Sequence, residues 1–298
     1  MKKWILVICL GVLSLPLYAQ QLSPATKWAV EAAVNYNMSP DIVYKRANQF
    51  DCKLDVISAN DKTNPRPSLI YIHGGGWVQG AKEGADLWLL PYLTRGMNVV
   101  NVEYRLGSVS LAPAAVEDCR CALRWVYQHA KDYGIDTNHL VLNGHSAGGH
   151  LSLMTGMLTP EAGFDNDCPG TENLRVAAIV NYFGVTDVAG LLAGPNQRTY
   201  AVMWLGSLRD RFELAKQLSP LTYVRPGLPP IFTAHGDADN VVPYQHAVRL
   251  HKALDGAGVA NQLFTVKGGK QGDWSADQIL QVQEAIFSFL KQQGVLPD

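Results

Sequence analysis

The chain has 298 residues, of which 47% are hydrophobic and 17% charged, and its formal net charge at pH 7 is −1. This composition suits one buried core and excludes an intrinsically disordered protein. The length fits one large domain or two small ones, and the near-neutral charge gives no attraction to nucleic acid or to an anionic membrane surface.

The start of the chain has the pattern of an export signal. Two lysines precede an apolar run over residues 4–15, and Ala19 supplies the small residue of a cleavage site. We therefore predict a signal peptide over 1–19, a single mature domain over 20–298, and an exported protein that is periplasmic or extracellular. The apolar run is short for a bilayer span, so an uncleaved membrane anchor is the less favoured alternative.

The predicted mature domain has four cysteines, Cys52, Cys119, Cys121 and Cys168. Export would place them in an oxidising compartment, where disulfides form. Cys119 and Cys121 lie two residues apart on a predicted helix, so they point to nearly opposite sides and cannot pair with each other. A bridge from Cys52 or Cys168 to one of them is compatible with the sequence, and so are buried free thiols.

Short apolar runs alternate with longer helical patterns along the rest of the chain, which is typical of strands joined by crossover helices. The predicted strands are 69–73, 99–104, 140–143, 177–182, 231–234 and 263–266. Because these runs are apolar almost throughout, they indicate a mostly parallel sheet with helices on both faces. Apolar stripes predict helices over 115–133 and 279–289, the second with Ser275 as its N-cap.

Residues 186–218 interrupt this alternation. They fit no strand and include Tyr200, Met203, Trp204 and Phe212. We expect a small helical cap over the carboxyl ends of the strands, while an ordinary pair of packing helices fits the pattern equally well.

The pattern Gly-x-Ser-x-Gly at 144–148 follows one predicted strand and precedes a helix rich in small residues. This context is typical of a nucleophile elbow, in which the Ser146 hydroxyl stands on a tight turn. Gly144 and Gly148 have to be small because a side chain there would clash with the neighbouring strand or helix. The N–H groups at the start of the helix, that of Ala147 first, would point at a developing oxyanion.

The loop His73-Gly74-Gly75-Gly76-Trp77 follows another strand. Consecutive glycines let backbone N–H groups turn outward and approach a ligand closely. We predict that Gly75 and Gly76, together with Ala147, form an oxyanion hole. His73 ends the strand, so we expect it to support the loop.

The acid of such a site follows the serine in the chain. Asp237 and Asp239 lie just past the strand 231–234, where a carboxylate can orient an imidazole. We predict that Asp239 is the acid, because Val-Val-Pro follows at 241–243 and starts the next helix. Asp237 is expected to form a turn.

Together these motifs resemble the α/β-hydrolase superfamily, and within it the secreted carboxylesterases related to bacterial feruloyl and acetyl-xylan esterases. The resemblance covers about residues 50–290 and includes Glu-Tyr-Arg-Leu at 103–106 and His-Gly-Asp-Ala-Asp at 235–239. Kynurenine formamidases are similar around the serine but match less well at the glycine loop. In the esterases the loop after the last strand carries a Gly-Gly-Lys-His-Gly type of sequence, so Gln271 stands where the catalytic histidine is expected.

Glutamine does not titrate near neutral pH and cannot hold the proton of a serine hydroxyl. The chain has eight histidines, none beyond residue 251, and none of them is expected on a loop facing Ser146. We therefore expect a serine carboxylesterase scaffold for short or aromatic acyl esters, including those of sugars, whose activity is impaired. The alternative is a catalytically silent protein that binds such ligands.

The resemblance implies a small-molecule or carbohydrate ester as the partner, with no nucleic acid, no metal and no organic cofactor. Trp77 and Trp204 are expected to contact the substrate. Gln271 fits either a natural loss of the base or an engineered change, and the sequence is compatible with more than one oligomeric state.

Overall fold

The structure, a computed structural model, describes residues 23–47 and 49–297. The predicted signal peptide, 1–19, lies outside the described residues. Within them the strands are β1 (Tyr36–Ala47), β2 (Phe50–Ala59), β3 (Arg66–Ile72), β4 (Asn98–Val102), β5 (Ile135–His145), β6 (Ala178–Tyr182), β7 (Ile231–Gly236) and β8 (Asn261–Val266). The α-helices are α1 (Pro24–Asn35), α2 (Asp86–Leu93), α3 (Ala114–Tyr133), α4 (Ala147–Met157), α5 (Thr199–Leu205), α6 (Arg211–Gln217), α7 (Gln245–Gly256) and α8 (Ala276–Gln292).

The strands form one sheet in the order β1-β2-β4-β3-β5-β6-β7-β8. Strands β3 to β8 are parallel to their neighbours within this group. In contrast, β1 pairs with β2, and β2 with β4, in antiparallel fashion. This is the α/β-hydrolase fold, and the predicted mostly parallel sheet is confirmed. Each predicted strand has a counterpart in β3 to β8, while β1 and β2 were not predicted.

The two faces of the sheet bury separate apolar clusters. In β3, Ile70 and Ile72 belong to the cluster under α3, α4 and α7, while Leu69 and Tyr71 belong to the cluster under α2 and α8. Alternate residues of a strand point to opposite faces, so an apolar run covers both layers at once. Ser275 caps α8 as predicted, because its side chain accepts the N–H of Gln278 in a capping box.

The predicted cap segment is helical and contains α5, α6 and short 3₁₀ turns. It serves both of the expected purposes. Trp204 and Ala215 are buried in the core, whereas Met203 is more than half exposed and lines a pocket. Among the described residues, no helix is both long enough and apolar enough to cross a membrane.

One disulfide joins Cys121 to Cys168, 47 residues further along the chain. Cys52 and Cys119 are free, buried thiols. The sequence left open a disulfide and buried free thiols. The first is found for Cys121 and Cys168, and the second for Cys52 and Cys119.

Candidate active site

The loops of the candidate site all follow parallel strands. The glycine loop follows β3, Ser146 follows β5, Asp239 follows β7 and Gln271 follows β8. Carboxyl ends of parallel strands meet at one edge of a sheet, which is where open α/β sheets bind their ligands.

Ser146 stands on a strained turn between β5 and α4. Its φ is 55° and its ψ is −116°, and its N–H donates to the carbonyl of Tyr182 at 2.8 Å. A Cβ at Gly144 would overlap the backbone of Gly148, and one at Gly148 would overlap the carbonyl oxygen of Ile72. The expected need for small residues on both sides of the serine is confirmed. A serine held at positive φ in this setting is typical of a functional turn.

The glycine loop turns sharply beside the serine. Gly75, Gly76 and Trp77 have φ values of 114°, 60° and 62°. A Cβ at Gly74 would lie 2.7 Å from the carbonyl oxygen of His145, so the loop packs directly on the residue before the serine. In the described part of the chain, the N–H groups of Gly75, Gly76 and Ala147 donate no hydrogen bond in the loops and caps. They are free to serve a ligand, as an oxyanion hole requires.

His73 stabilises the start of this loop through contacts with Tyr104. Its ring stacks on Tyr104 with 4.3 Å between centroids, and the Tyr104 hydroxyl donates to the His73 carbonyl at 3.1 Å. Burial lowers the pKa of His73 to about 4, so the ring is neutral at neutral pH. This arrangement fits the expected supporting role.

Trp77 and Trp204 are brought together, but among the described residues neither of them lines the two cavities next to Ser146. Their rings stack at 4.2 Å and both side chains are fully buried. Trp77 Nε1 donates to His150 Nδ1 at 3.1 Å, and His150 Nε2 donates to the Leu218 carbonyl at 2.7 Å. The expectation that both tryptophans contact the substrate is therefore wrong. The Trp77 indole N–H binds His150 and its ring face stacks on Trp204, both inside the core. The pair links the glycine loop to the cap.

The two aspartates after β7 have different environments. Asp239 Oδ1 accepts the N–H groups of Val241 and Val242 at 2.8 and 2.9 Å. Its Oδ2 is buried 3.3 Å from His235 Nε2 and accepts no hydrogen bond within the described residues. Asp237 is exposed and accepts the N–H of Gly268 at 2.7 Å, as a turn former does. Asp239 is thus the carboxylate with a free buried oxygen.

Gln271 lies against the serine. Its Nε2 donates to Ser146 Oγ at 3.0 Å. The loop that carries it packs on the loop of the acid, since the Ala238 N–H donates to the Gly269 carbonyl at 3.0 Å. The position assigned to the base by resemblance is therefore the position next to the hydroxyl, and an amide occupies it.

The histidines nearest to these loops are engaged elsewhere. His145 Nδ1 pairs with the Tyr71 hydroxyl at 2.6 Å, His246 Nδ1 accepts the N–H of Thr186 at 3.1 Å, and His150 binds Trp77 as described. Burial lowers the pKa of His145, His150 and His246 to about 4 in each case. No histidine in the described residues hydrogen-bonds Ser146. None of the histidines in the described residues is therefore placed to replace the base.

Two cavities adjoin at the serine. The first, called the serine pocket, has a volume of about 620 Å³ and is lined by Ser146, Gln271 and the cap residues Thr199, Tyr200 and Met203, among others. The second, called the aromatic cavity, has a volume of about 520 Å³ and is lined by the rings of Tyr71, Trp88, Tyr182, Phe183 and Trp274, among others. Both are lined by Gly74, Gly75, Gln79, His145 and Phe183.

The aromatic cavity was not predicted from the sequence. Its rings come from β3, α2, the end of β6 and the loop before α8. Each of these aromatic residues also fits an ordinary core position, so no local signal distinguishes them.

A family model and several curated proteins are similar to this chain in sequence. Residues 54–254 match the family model described as BD-FAE. The probable carboxylic ester hydrolase LipM of Mycobacterium tuberculosis is 31% identical over 213 residues, which cover 68% of this chain and 48% of that protein. Esterase LipC of the same organism is 27% identical, with 65% and 50% covered. The chain spans about half the length of these curated relatives.

Solved structures of Thermogutta terrifontis esterase 2 are similar over almost their whole length. The form phosphoramylated by tabun superposes with a TM-score of 0.73 at 27% identity, covering 89% of this chain and 97% of that one. The propionate-bound form gives a TM-score of 0.72 at 29% identity, with 89% and 96% covered.

Proposed function

Because the chain belongs to the BD-FAE family and has the α/β-hydrolase fold, we propose that it is a serine carboxylic-ester hydrolase whose turnover is impaired at one position. The substrates are small esters with a short or aromatic acyl group, including esters of sugars. Similarity to proteins named as carboxylic ester hydrolases and esterases supports the reaction type. The resemblance of its motifs to feruloyl and acetyl-xylan esterases supports the substrate class.

Ser146 is the nucleophile in this proposal. Its Oγ attacks the ester carbonyl carbon, and the resulting oxyanion accepts the free N–H groups of Gly75, Gly76 and Ala147. A base at position 271 would take the Oγ proton and pass it to the leaving alcohol, with Asp239 orienting that base. Gln271 cannot hold the proton, so both acylation and hydrolysis of the acyl-enzyme lose general-base catalysis.

One observation carries the proposal. Gln271 Nε2 meets Ser146 Oγ at 3.0 Å, while the buried Oδ2 of Asp239 accepts no hydrogen bond in the described residues. An unpaired buried carboxylate oxygen is costly, and an imidazole N–H at position 271 is the partner it would have in a complete triad.

The test is hydrolysis of p-nitrophenyl acetate by the chain as it stands and by Gln271→His. We expect histidine to raise kcat/KM by on the order of 10³-fold or more, because a missing triad member leaves only the oxyanion hole and binding. Gln271→Asn is the matched control, since it changes the residue without adding a base. Gln271→His combined with Ser146→Ala has to remove the gain.

The proposal fails if the unaltered chain is already as fast as Gln271→His. Another residue would then act as the base. It also fails if the histidine variant folds, as judged by circular dichroism, and shows no gain.

A silent binding protein is the second candidate. The Gln271 amide donates a hydrogen bond to the Ser146 hydroxyl and leaves two open cavities beside it, which favours binding without turnover. Calorimetric binding of an ester that is recovered intact after prolonged incubation would favour this candidate.

Export to an oxidising compartment belongs to the same proposal. The disulfide between Cys121 and Cys168 supports it, because such bridges persist in oxidising environments and are rare in the cytosol. Fractionation of the producing cells tests this directly: recovery in the cytoplasm with Ala19 still attached would contradict it.

A further inference from the structure

The cap is hydrogen-bonded to the loop that carries the acid. The Arg198 guanidinium donates from Nε to the Val241 carbonyl at 3.0 Å and from Nη2 to the Asn240 carbonyl at 3.3 Å. The Tyr200 hydroxyl donates to the same Val241 carbonyl at 3.2 Å. Two side chains at the start of α5 therefore hold two consecutive carbonyls of the loop after β7.

These two carbonyls belong to the peptide groups that bind Asp239. The Asn240 carbonyl shares its peptide group with the N–H of Val241, and the Val241 carbonyl shares its own with the N–H of Val242. Both N–H groups donate to Asp239 Oδ1, at 2.8 and 2.9 Å. Each peptide group is therefore hydrogen-bonded at both ends, to the cap through its oxygen and to the acid through its nitrogen.

A positive charge at the carbonyl end strengthens the donor at the amide end. Hydrogen bonds in a chain polarise one another, and a charged donor makes a stronger bond than a neutral one. The Arg198 guanidinium thus strengthens the bonds of both N–H groups to Asp239 Oδ1 and fixes that oxygen. The buried Oδ2, which accepts no hydrogen bond within the described residues, is left to orient a group at position 271.

Tyr200 also contacts the glycine loop. A Cβ at Gly76 would lie 2.8 Å from the Tyr200 Cβ, so the side chain packs directly on this loop. The ring of Tyr200 lies 5.8 Å from the ring of Trp77, measured between centroids. A single residue of the cap therefore joins the loop of the predicted oxyanion hole to the loop of the acid.

We propose that Arg198 and Tyr200 are positioning residues, which fix Asp239 by holding the carbonyls of Asn240 and Val241. This inference rests on the proposed function, because a fixed acid matters for turnover only where a base at position 271 has to be oriented. Arg198 acts through the acid and not through the substrate, since among the described residues it lines neither of the two cavities, whereas Tyr200 lines the serine pocket.

Arg198 is therefore the cleaner residue to change. Arg198→Met nearly keeps the length of the side chain but removes its hydrogen-bond donors and its charge. Arg209→Met is the matched control, because Arg209 is exposed, belongs to the cap between α5 and α6 and is not among the residues lining the two cavities. Both substitutions are tested on p-nitrophenyl acetate in the Gln271→His background.

We expect Arg198→Met to lower kcat by about 10- to 100-fold, since a displacement of roughly 1 Å in a catalytic group can cost about 100-fold. KM should stay within about twofold, because the residue makes no contact with the substrate. Arg209→Met should change neither constant. Tyr200→Phe removes the hydroxyl but keeps the ring on Gly76, and should lower kcat by about threefold to 10-fold through the loss of one hydrogen bond.

Dependence on Asp239 separates positioning from a purely structural role. With Asp239→Asn already present beside Gln271→His, Arg198→Met should change kcat by less than about twofold, because the acid through which it acts is gone. A loss of the same size with and without Asp239→Asn would overturn the proposal. So would an unchanged kcat in Arg198→Met, or a rise in KM alone.

Amide hydrogen exchange decides the question if Gln271→His is inactive, in which case the proposed function fails separately. The N–H groups of Val241 and Val242 are followed by NMR in the unaltered chain, in Arg198→Met and in Arg209→Met. Arg198→Met should speed their exchange at least about 10-fold over the other two proteins, since the released loop opens more often. Equal exchange rates in all three would overturn the proposal, whether or not the protein hydrolyses esters.

Discussion

Gln271 donates a hydrogen bond to Ser146 at 3.0 Å, whereas the group at this position in a working triad accepts one. The amide holds the hydroxyl in place but uses a lone pair of Oγ instead of drawing away its proton. The serine is therefore positioned for attack without being activated for it.

The effect of Asp239 should depend on residue 271. In the Gln271→His background, Asp239→Asn should lower kcat by about 10²–10⁴-fold, because the imidazole loses the partner that orients it. In the unaltered chain the same change should alter the rate by less than about threefold, since no imidazole is present. The four rates form a double-mutant cycle measured with p-nitrophenyl acetate.

Asp237→Asn is the control for this cycle, since Asp237 accepts the Gly268 N–H on the surface. It should retain most of the Gln271→His activity. A larger loss in Asp237→Asn than in Asp239→Asn would exchange the two assignments.

His150→Leu should destabilise the fold. The change would leave the Trp77 Nε1 and the Leu218 carbonyl without their partner inside the core. Each unsatisfied buried group costs about 1–3 kcal/mol, so the free energy of unfolding should fall by about 2–4 kcal/mol in a denaturant titration. His129→Leu is the comparison, because that side chain is 42% exposed and should change stability by less than about 0.5 kcal/mol. Equal effects of the two substitutions would contradict the link between glycine loop and cap.

The protein should lose stability as the pH falls from about 6.5 towards 4. Burial lowers the pKa of His73, His145, His150 and His246 to about 4, whereas unfolded histidine titrates near 6.5. Between these values the unfolded chain binds more protons, so the stabilisation is complete above the unfolded pKa and is lost on acidification. Each buried histidine contributes up to about 1.4 kcal/mol per pH unit. Thermal melts at pH 7.5, 6 and 5 should show a falling Tm, and a Tm that is constant over this range would refute the expectation.

Removing the disulfide between Cys121 and Cys168 should destabilise the fold without altering the candidate active site. Closure of a loop of 47 residues restricts the unfolded chain by about 4 kcal/mol. Reduction should therefore lower the Tm of the unaltered protein, but not that of a variant with both Cys121→Ala and Cys168→Ala. If the reductant lowers both equally, the effect does not come from this bridge.

The central strands could be predicted because burial on both faces produces apolar runs, as in β3 and β5. The edge hairpin of β1 and β2 could not. In β1 the pairing with β2 shifts register between Ser39 and Ile42 and again between Val43 and Lys45, and Asp41 has a φ of 54°. These bulges break the two-residue alternation by which a half-exposed strand is recognised.

The site divides in a similar way. The environment of Ser146, the turn of the glycine loop and the closeness of position 271 follow from local motifs, and the structure places them as expected. The burial of Trp77 and Trp204 in the core does not follow from local motifs. A motif fixes the position of a residue along the chain, but not the direction in which a large ring is buried. The aromatic cavity depends on contacts between distant segments, which single-sequence patterns do not contain.

The retained carboxylate and oxyanion loop around Gln271 also have a genetic consequence. Glutamine and histidine codons share their first two bases, so one transversion at the third base of codon 271 would supply the imidazole. The rest of the site would need no further substitution. A population of this gene under selection for ester hydrolysis should therefore regain the activity by that single step before any other route.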